Sequence, residues 1–149
     1  HSEIGYNYRM SNVCAAIGIG QLEVLEERIL QKRAIKTFYK EQLSDIKEIS
    51  FLDEIEGSYS NFWLTTILLS NNSAIDREQL RLYLEKDNIE SRPLWKPMHL
   101  QPVFKECKSY LNGVSEDLFN RGLCLPSDTN MTVKDLKRVV SKIKELYEA

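Results

Sequence analysis

Apolar residues recur at helical spacing from Val13 almost to Ile46, and this run constrains the fold more than any other feature of the chain. Ser11-Asn12 can cap a helix, and Val13, Ile17, Leu22, Leu25 and Ile29 follow at the required intervals. Ile35, Phe38, Tyr39, Leu43 and Ile46 continue the pattern, with Glu26, Glu27, Arg28, Lys32, Arg33 and Lys36 on the wet side. The spacing predicts one long helix over 11–46, broken near Leu25 to Arg28. A partly exposed helix of this length suits a connector between domains. Gly18 and Gly20 inside it cost about 1 kcal/mol each relative to alanine. With Ala15 and Ala16 they leave one face small enough for a second backbone to approach, within one domain or at a subunit interface.

After the helix the elements shorten. Gly57-Ser58 marks a turn, 61–69 is a strand rich in aromatic and branched residues, and Asn71-Asn72-Ser73 closes it. Asp76 with Gln79 resembles a capping box ahead of Leu80, Leu82, Tyr83 and Leu84, a helix ending near Asn88. Ile89 to Leu94 reads as a short strand that Pro93 pushes to an edge. A helical turn at 102–104, a helix at 115–121 stopped by Gly122, and a small strand at 123–125 come next. Thr132 with Asp135 then caps a last helix whose apolar face is Val133, Leu136, Val139, Val140, Ile143 and Leu146. The order predicts an α/β fold in which a small, mainly antiparallel sheet is covered by helices. Residues 1–46 form an interface segment and connecting helix, and 47–149 a small C-terminal α/β domain.

Charge narrows the partners. A net charge of -2 with both signs interspersed gives no footprint for nucleic acid or an anionic membrane. The longest mainly apolar run, Phe62 to Leu69, is too short to span a bilayer. Three cysteines at no metal-like spacing fit a cytoplasmic protein with reduced thiols. The chain starts at His1 and runs at once into the aromatic Tyr6-Asn7-Tyr8, which reads as a fragment lacking its N-terminal portion.

No phosphate-cradling glycine loop, metal-ligand cluster or nucleophile motif is present. Two polar clusters stand out. Asn7-Tyr8-Arg9 brings an amide and a guanidinium beside two tyrosines, a donor set that can hold a phosphate. An arginine stacked on a surface tyrosine is the alternative. In Arg92-Pro93-Leu94-Trp95-Lys96-Pro97-Met98-His99, two prolines stiffen a segment carrying an arginine, a tryptophan, a lysine and a histidine, a combination suited to anionic or sugar ligands. His99 is either part of that site or a structural histidine.

These clusters carry a resemblance. Gly5 to Asn12, running on through Ala15-Ala16-Ile17-Gly18 to Gln21-Leu22, resembles the signature that follows the active-site half of the DegT/DnrJ/EryC1/StrS sugar aminotransferases. Arg92 to His99 resembles the family's second C-terminal signature, and Leu123-Cys124-Leu125-Pro126-Ser127 its third. Within the family, the Trp95-to-His99 wording and Tyr110-Leu111-Asn112-Gly113 are similar to enzymes aminating UDP-linked 4-keto-6-deoxy-N-acetylhexosamines, as in the bacillosamine pathway.

The resemblance implies a fold-type-I, pyridoxal-phosphate-dependent homodimer, paired through the N-terminal segment and first helix. Its large domain, with the Schiff-base lysine, lies upstream, so this chain is expected to be inactive alone. Asn7 matches the asparagine that reaches across the dimer to the cofactor phosphate, and Arg9 an arginine at the same shared site. His99 matches a histidine facing the sugar, with Trp95 and Lys96 at the same mouth, and Arg92 can meet the carboxylate of the donor, glutamate. The cofactor ring supplies the electron sink for moving the amino group. Alternatives are a free-standing module dimerising through the glycine-alanine face, or a regulatory or dehydratase-like family member.

Overall fold

The computed structural model describes residues 2–6 and 9–148. The predicted long helix is two: α1 at Asn12–Leu22 and α2 at Leu25–Gln42. The break falls at Glu23-Val24, just ahead of the expected place. Ser11 caps α1, its side chain accepting the Cys14 N–H at 3.2 Å. No residue of α1 is buried, and nothing lies within 4 Å of where a Cβ would stand on Gly18 or Gly20. Among the described residues, no backbone uses that small face.

Four strands form one antiparallel sheet in the order β1-β2-β4-β3: β1 at Ile49–Phe51, β2 at Thr65–Leu69, β3 at Arg92–Pro93 and β4 at Gly122–Leu125. Pro93 does sit on an edge strand, where its missing N–H breaks no ladder. Along β2, Thr65, Ile67 and Leu69 are buried while Thr66 and Leu68 are half-buried, so one face carries the core. α3 (Arg77–Lys86), α5 (Val133–Glu148) and the second half of α2 cover that face. Tyr39, Leu43, Ile67, Leu80, Leu84, Leu123 and Ile143 are at most 1% exposed, and burial of each contributes roughly 1.5–3 kcal/mol. α4 (Val114–Arg121) runs straight into β4.

Local chemistry sets the ends. Asp76 and Gln79 make the reciprocal capping box on α3, each side chain bonded to the other's backbone N–H at 2.8 Å. At the far end Asn88 takes a left-handed φ of 55°, and the N–H groups of Asn88 and Ile89 turn back to the carbonyls of Glu85 and Leu84. That is a Schellman closure, with asparagine in the place usually held by glycine.

The exit of β4 is sewn to α2. Tyr39 Oη donates to the Pro126 carbonyl at 2.9 Å, the Lys32 ammonium donates to the Ser127 carbonyl, and Arg28 donates to Thr129 Oγ1 at 3.1 Å. Ser127 Oγ accepts the Thr65 N–H at 2.9 Å and donates to the Leu125 carbonyl at 2.8 Å. The segment Leu123–Ser127 is thus a buried structural joint, holding β2 against β4.

Candidate functional site

Arg92 and Trp95 share the wall of an open cleft of about 830 Å³, between the β3 edge and the start of α5. Ser91, Cys124, Asp135 and Arg138 also line it. The Ser91 hydroxyl is buried there without a hydrogen-bond partner among the described residues. Burial pushes the Cys124 thiol up, which leaves it protonated and inert at neutral pH.

The Arg92 guanidinium already holds Glu90 Oε1, through Nε at 2.7 Å and Nη2 at 2.5 Å. Both side chains are exposed, so the pair adds little stability, but an incoming carboxylate must displace Glu90. Trp95 stacks on Trp63, with centroids 6.1 Å apart and planes at 19°. Pro97 then opens a single 3₁₀ turn, Met98–Leu100, and Gln101 Nε2 fastens it by donating to the Lys96 carbonyl at 3.1 Å.

That turn presents His99, whose Nε2 lies 2.8 Å from Glu116 Oε1 in the first turn of α4. A carboxylate only accepts, so Nε2 carries the hydrogen, and in the neutral ring Nδ1 is the acceptor. Glu116 and Trp63 are the neighbours that sequence reasoning missed. One is 17 residues away along the chain and the other 32, and no local motif ties them to the segment.

Arg9 is exposed, ahead of α1, and does not line the cleft. Asn7 lies outside the described residues. Among the described residues, Arg9 is not brought to the cleft that Arg92 and Trp95 line.

A family model described as the DegT/DnrJ/EryC1/StrS aminotransferase family matches residues 1–144. The chain belongs to that family. It is 47% identical to a protein named for pyridoxal phosphate-dependent aminotransferase activity, EpsN of Bacillus subtilis (strain 168), over 99% of this chain and 38% of that protein. It is 36% identical to the GDP-perosamine synthase of Escherichia coli O157:H7, over 99% of this chain and 39% of the synthase. Its fold superposes, with a TM-score of 0.79 and 27% identity, on the crystal structure of a DegT DnrJ EryC1 StrS aminotransferase from Brucella abortus, covering 98% of this chain and 38% of that one. The chain thus spans about two fifths of the length of these relatives.

The cofactor of this family needs a lysine amine beside its aldehyde and donors around its phosphate. No lysine lines the cleft. Lys36 and Lys40 are held by Asp53, Lys32 by the Ser127 carbonyl, Lys142 by Glu145 and Lys144 by Asp45. The described residues offer pyridoxal phosphate no complete pocket.

Proposed function

We propose that this chain is the C-terminal part of an aminotransferase that uses pyridoxal phosphate to move an amino group from glutamate to a nucleotide-linked keto sugar. The family match over residues 1–144 carries the reading. The finer assignment, a UDP-linked 4-keto-6-deoxy-N-acetylhexosamine, is supported by the wording of Trp95 to His99.

In this reading His99 faces the sugar, and Trp95 and Lys96 line the mouth of the same site. Arg92 receives the donor carboxylate once Glu90 swings away. Asn7 reaches the cofactor phosphate of a partner subunit, and Arg9, at the same shared site, holds phosphate or nucleotide-sugar oxygens of the substrate. The ring of the bound cofactor supplies the electron sink, and this chain's residues bind and orient the acceptor. The lysine and the large domain come from the remaining length of the protein, so residues 1–149 alone bind weakly and turn nothing over.

The character of α1 supports this over a free-standing dimerising module. Val13, Ile17, Ile19 and Leu22 are each at least 60% exposed and lie on several sides of the helix. A helix apolar all round belongs inside a larger body, whereas a simple dimer seam needs one apolar stripe.

The test is the absorbance spectrum of the complete protein before and after adding glutamate. Conversion of a lysine-bound cofactor band to the pyridoxamine form, reversed by a UDP-ketosugar, is the expected result. A colourless protein that takes up no pyridoxal phosphate would sink the proposal.

A further inference from the structure

We infer that Trp63 and Trp95 together form a stacking platform for the planar base of the acceptor's nucleotide, a role that rests on the nucleotide-sugar reading above. The two indoles lie nearly parallel, 6.1 Å apart at 19°, in an offset stack. They are nonetheless 61% and 66% exposed. Two parallel rings, each with open surface left, accept a third planar layer, and base–aromatic stacking works for any base because every base has a π-face.

The platform is held stiffly from both sides. Trp63 follows Phe62, whose φ of 44° lies in the left-handed region that a side-chain-bearing residue rarely enters. Such a conformation persists where its surroundings over-determine it, and such residues gather at functional sites. Here the surroundings are explicit. Lys36 Nζ sits 3.9 Å from the Phe62 ring centroid and the Arg33 guanidinium 5.2 Å from it. The Phe62 N–H donates to Ser60 Oγ at 3.2 Å, and the Trp63 N–H to Asn61 Oδ1 at 3.1 Å. Arg33 in turn holds Glu54 through two 2.8 Å bonds, and Glu54 accepts the Ser60 N–H at 2.6 Å. This network grips the whole approach to Trp63. Trp95, on the other side, stands between Pro93 and Pro97.

A base is favoured over a covering protein segment by what accompanies the rings. Lys96 follows Trp95 directly in sequence, and Arg92 lines the same cleft as Trp95, where its guanidinium is empty of donor carboxylate while the acceptor is bound. That places cationic groups for phosphates beside an aromatic layer for a base, the combination a nucleotide needs.

The experiment is calorimetric titration of the complete protein with UMP, GMP and ribose 5-phosphate. Both nucleotides are expected to bind more tightly than ribose 5-phosphate. Trp63→Ala is expected to lower the UMP and GMP affinities by about tenfold, towards that of the base-free ligand. Trp63→Phe, which keeps a ring, is expected to retain most of the advantage. Trp63 is largely exposed, so the alanine variant should fold, as circular dichroism will check. Equal or absent binding of UMP and ribose 5-phosphate by the wild type, or a base advantage that survives Trp63→Ala, overturns the platform. The glutamate-dependent absorbance change involves no nucleotide, so failure of the aminotransferase reading registers separately.

Discussion

The hydroxyl of Tyr39, in the last turn of α2, donates to the carbonyl of Pro126 just past the end of β4, across 2.9 Å. The ring is fully buried, and burial pushes the hydroxyl's pKa well up, so it stays a donor at any ordinary pH. Tyr39→Phe keeps the ring's packing and removes only this bond. It is expected to cost about 1–2 kcal/mol, because the Pro126 carbonyl loses its donor in a part-buried place. Urea denaturation of wild type and variant measures the difference, and identical midpoints would show that the joint is held elsewhere.

Acid should loosen the loop that leads to Trp63. The Arg33 guanidinium and the Ser60 N–H hold the Glu54 carboxyl down to about 2, against an ordinary 4.5. On acidification the unfolded chain therefore takes up this proton first. The contribution is fully present above pH 4.5 and is lost as pH falls towards about 2. Asp53, held low mainly by Lys40 and then Lys36, adds to the same slope. Glu54→Gln should flatten the fall in stability between pH 4.5 and about 2, read by denaturant titration at several pH values.

Gly122 is predicted to resist alanine. A Cβ there would stand 2.1 Å from Leu94 Cδ1 and 2.6 Å from the Leu118 carbonyl oxygen. Leu94 can rotate away. The carbonyl cannot, because it ends α4 and accepts the Gly122 N–H. Overpacking of this kind costs about 1–3 kcal/mol. The backbone φ of -90° is comfortable for alanine, so the loss reports crowding alone. A variant as stable as wild type would contradict the close approach of β3's exit to α4.

The His99–Glu116 pair makes a kinetic prediction. If Glu116 acts by orienting His99, Glu116→Ala should raise the KM for the nucleotide sugar. It should raise it no further when His99 is already alanine. The double-mutant cycle is expected to show a coupling of about 1 kcal/mol, roughly fivefold. Additive effects would mean that the 2.8 Å contact is incidental.

Much of this was readable from the residues, and the exceptions have physical causes. The capping box, the apolar stripe of α5 and the edge position of Pro93 are local signals, each written within a few residues, and each is where it was expected, except that Val133, at the first position of α5, lies beyond the packed part of the stripe and is exposed. β1 escaped notice because three residues, Ile49-Ser50-Phe51, are too few to set a period. β2 starts at Thr65 and not at Asn61, because Phe62 turns left-handed, and an aromatic, strand-favouring composition carries no sign of that. The partners Trp63 and Glu116 were invisible for another reason: the contacts exist only once β2 and α4 have been brought against the Arg92–His99 segment. The third signature, Leu123–Ser127, turned out to be spent on hydrogen bonds that join β2, β4 and α2.

The uncovered state of α1 has a consequence in time as well as in space. A helix of 11 residues is below the length at which helices persist in water, because one costly nucleation event is shared among too few bonds. Packing normally supplies the remainder, and here no residue of α1 is buried. In this chain by itself the amides of Asn12–Leu22 should exchange with solvent almost as fast as those of an open coil, while those of α5, anchored by Leu136, Val139, Val140 and Ile143, exchange slowly. α1 would then be the last element of this chain to become permanent. It acquires its lifetime from whatever comes to lie against it, so protection of its amides can serve as a clock for assembly.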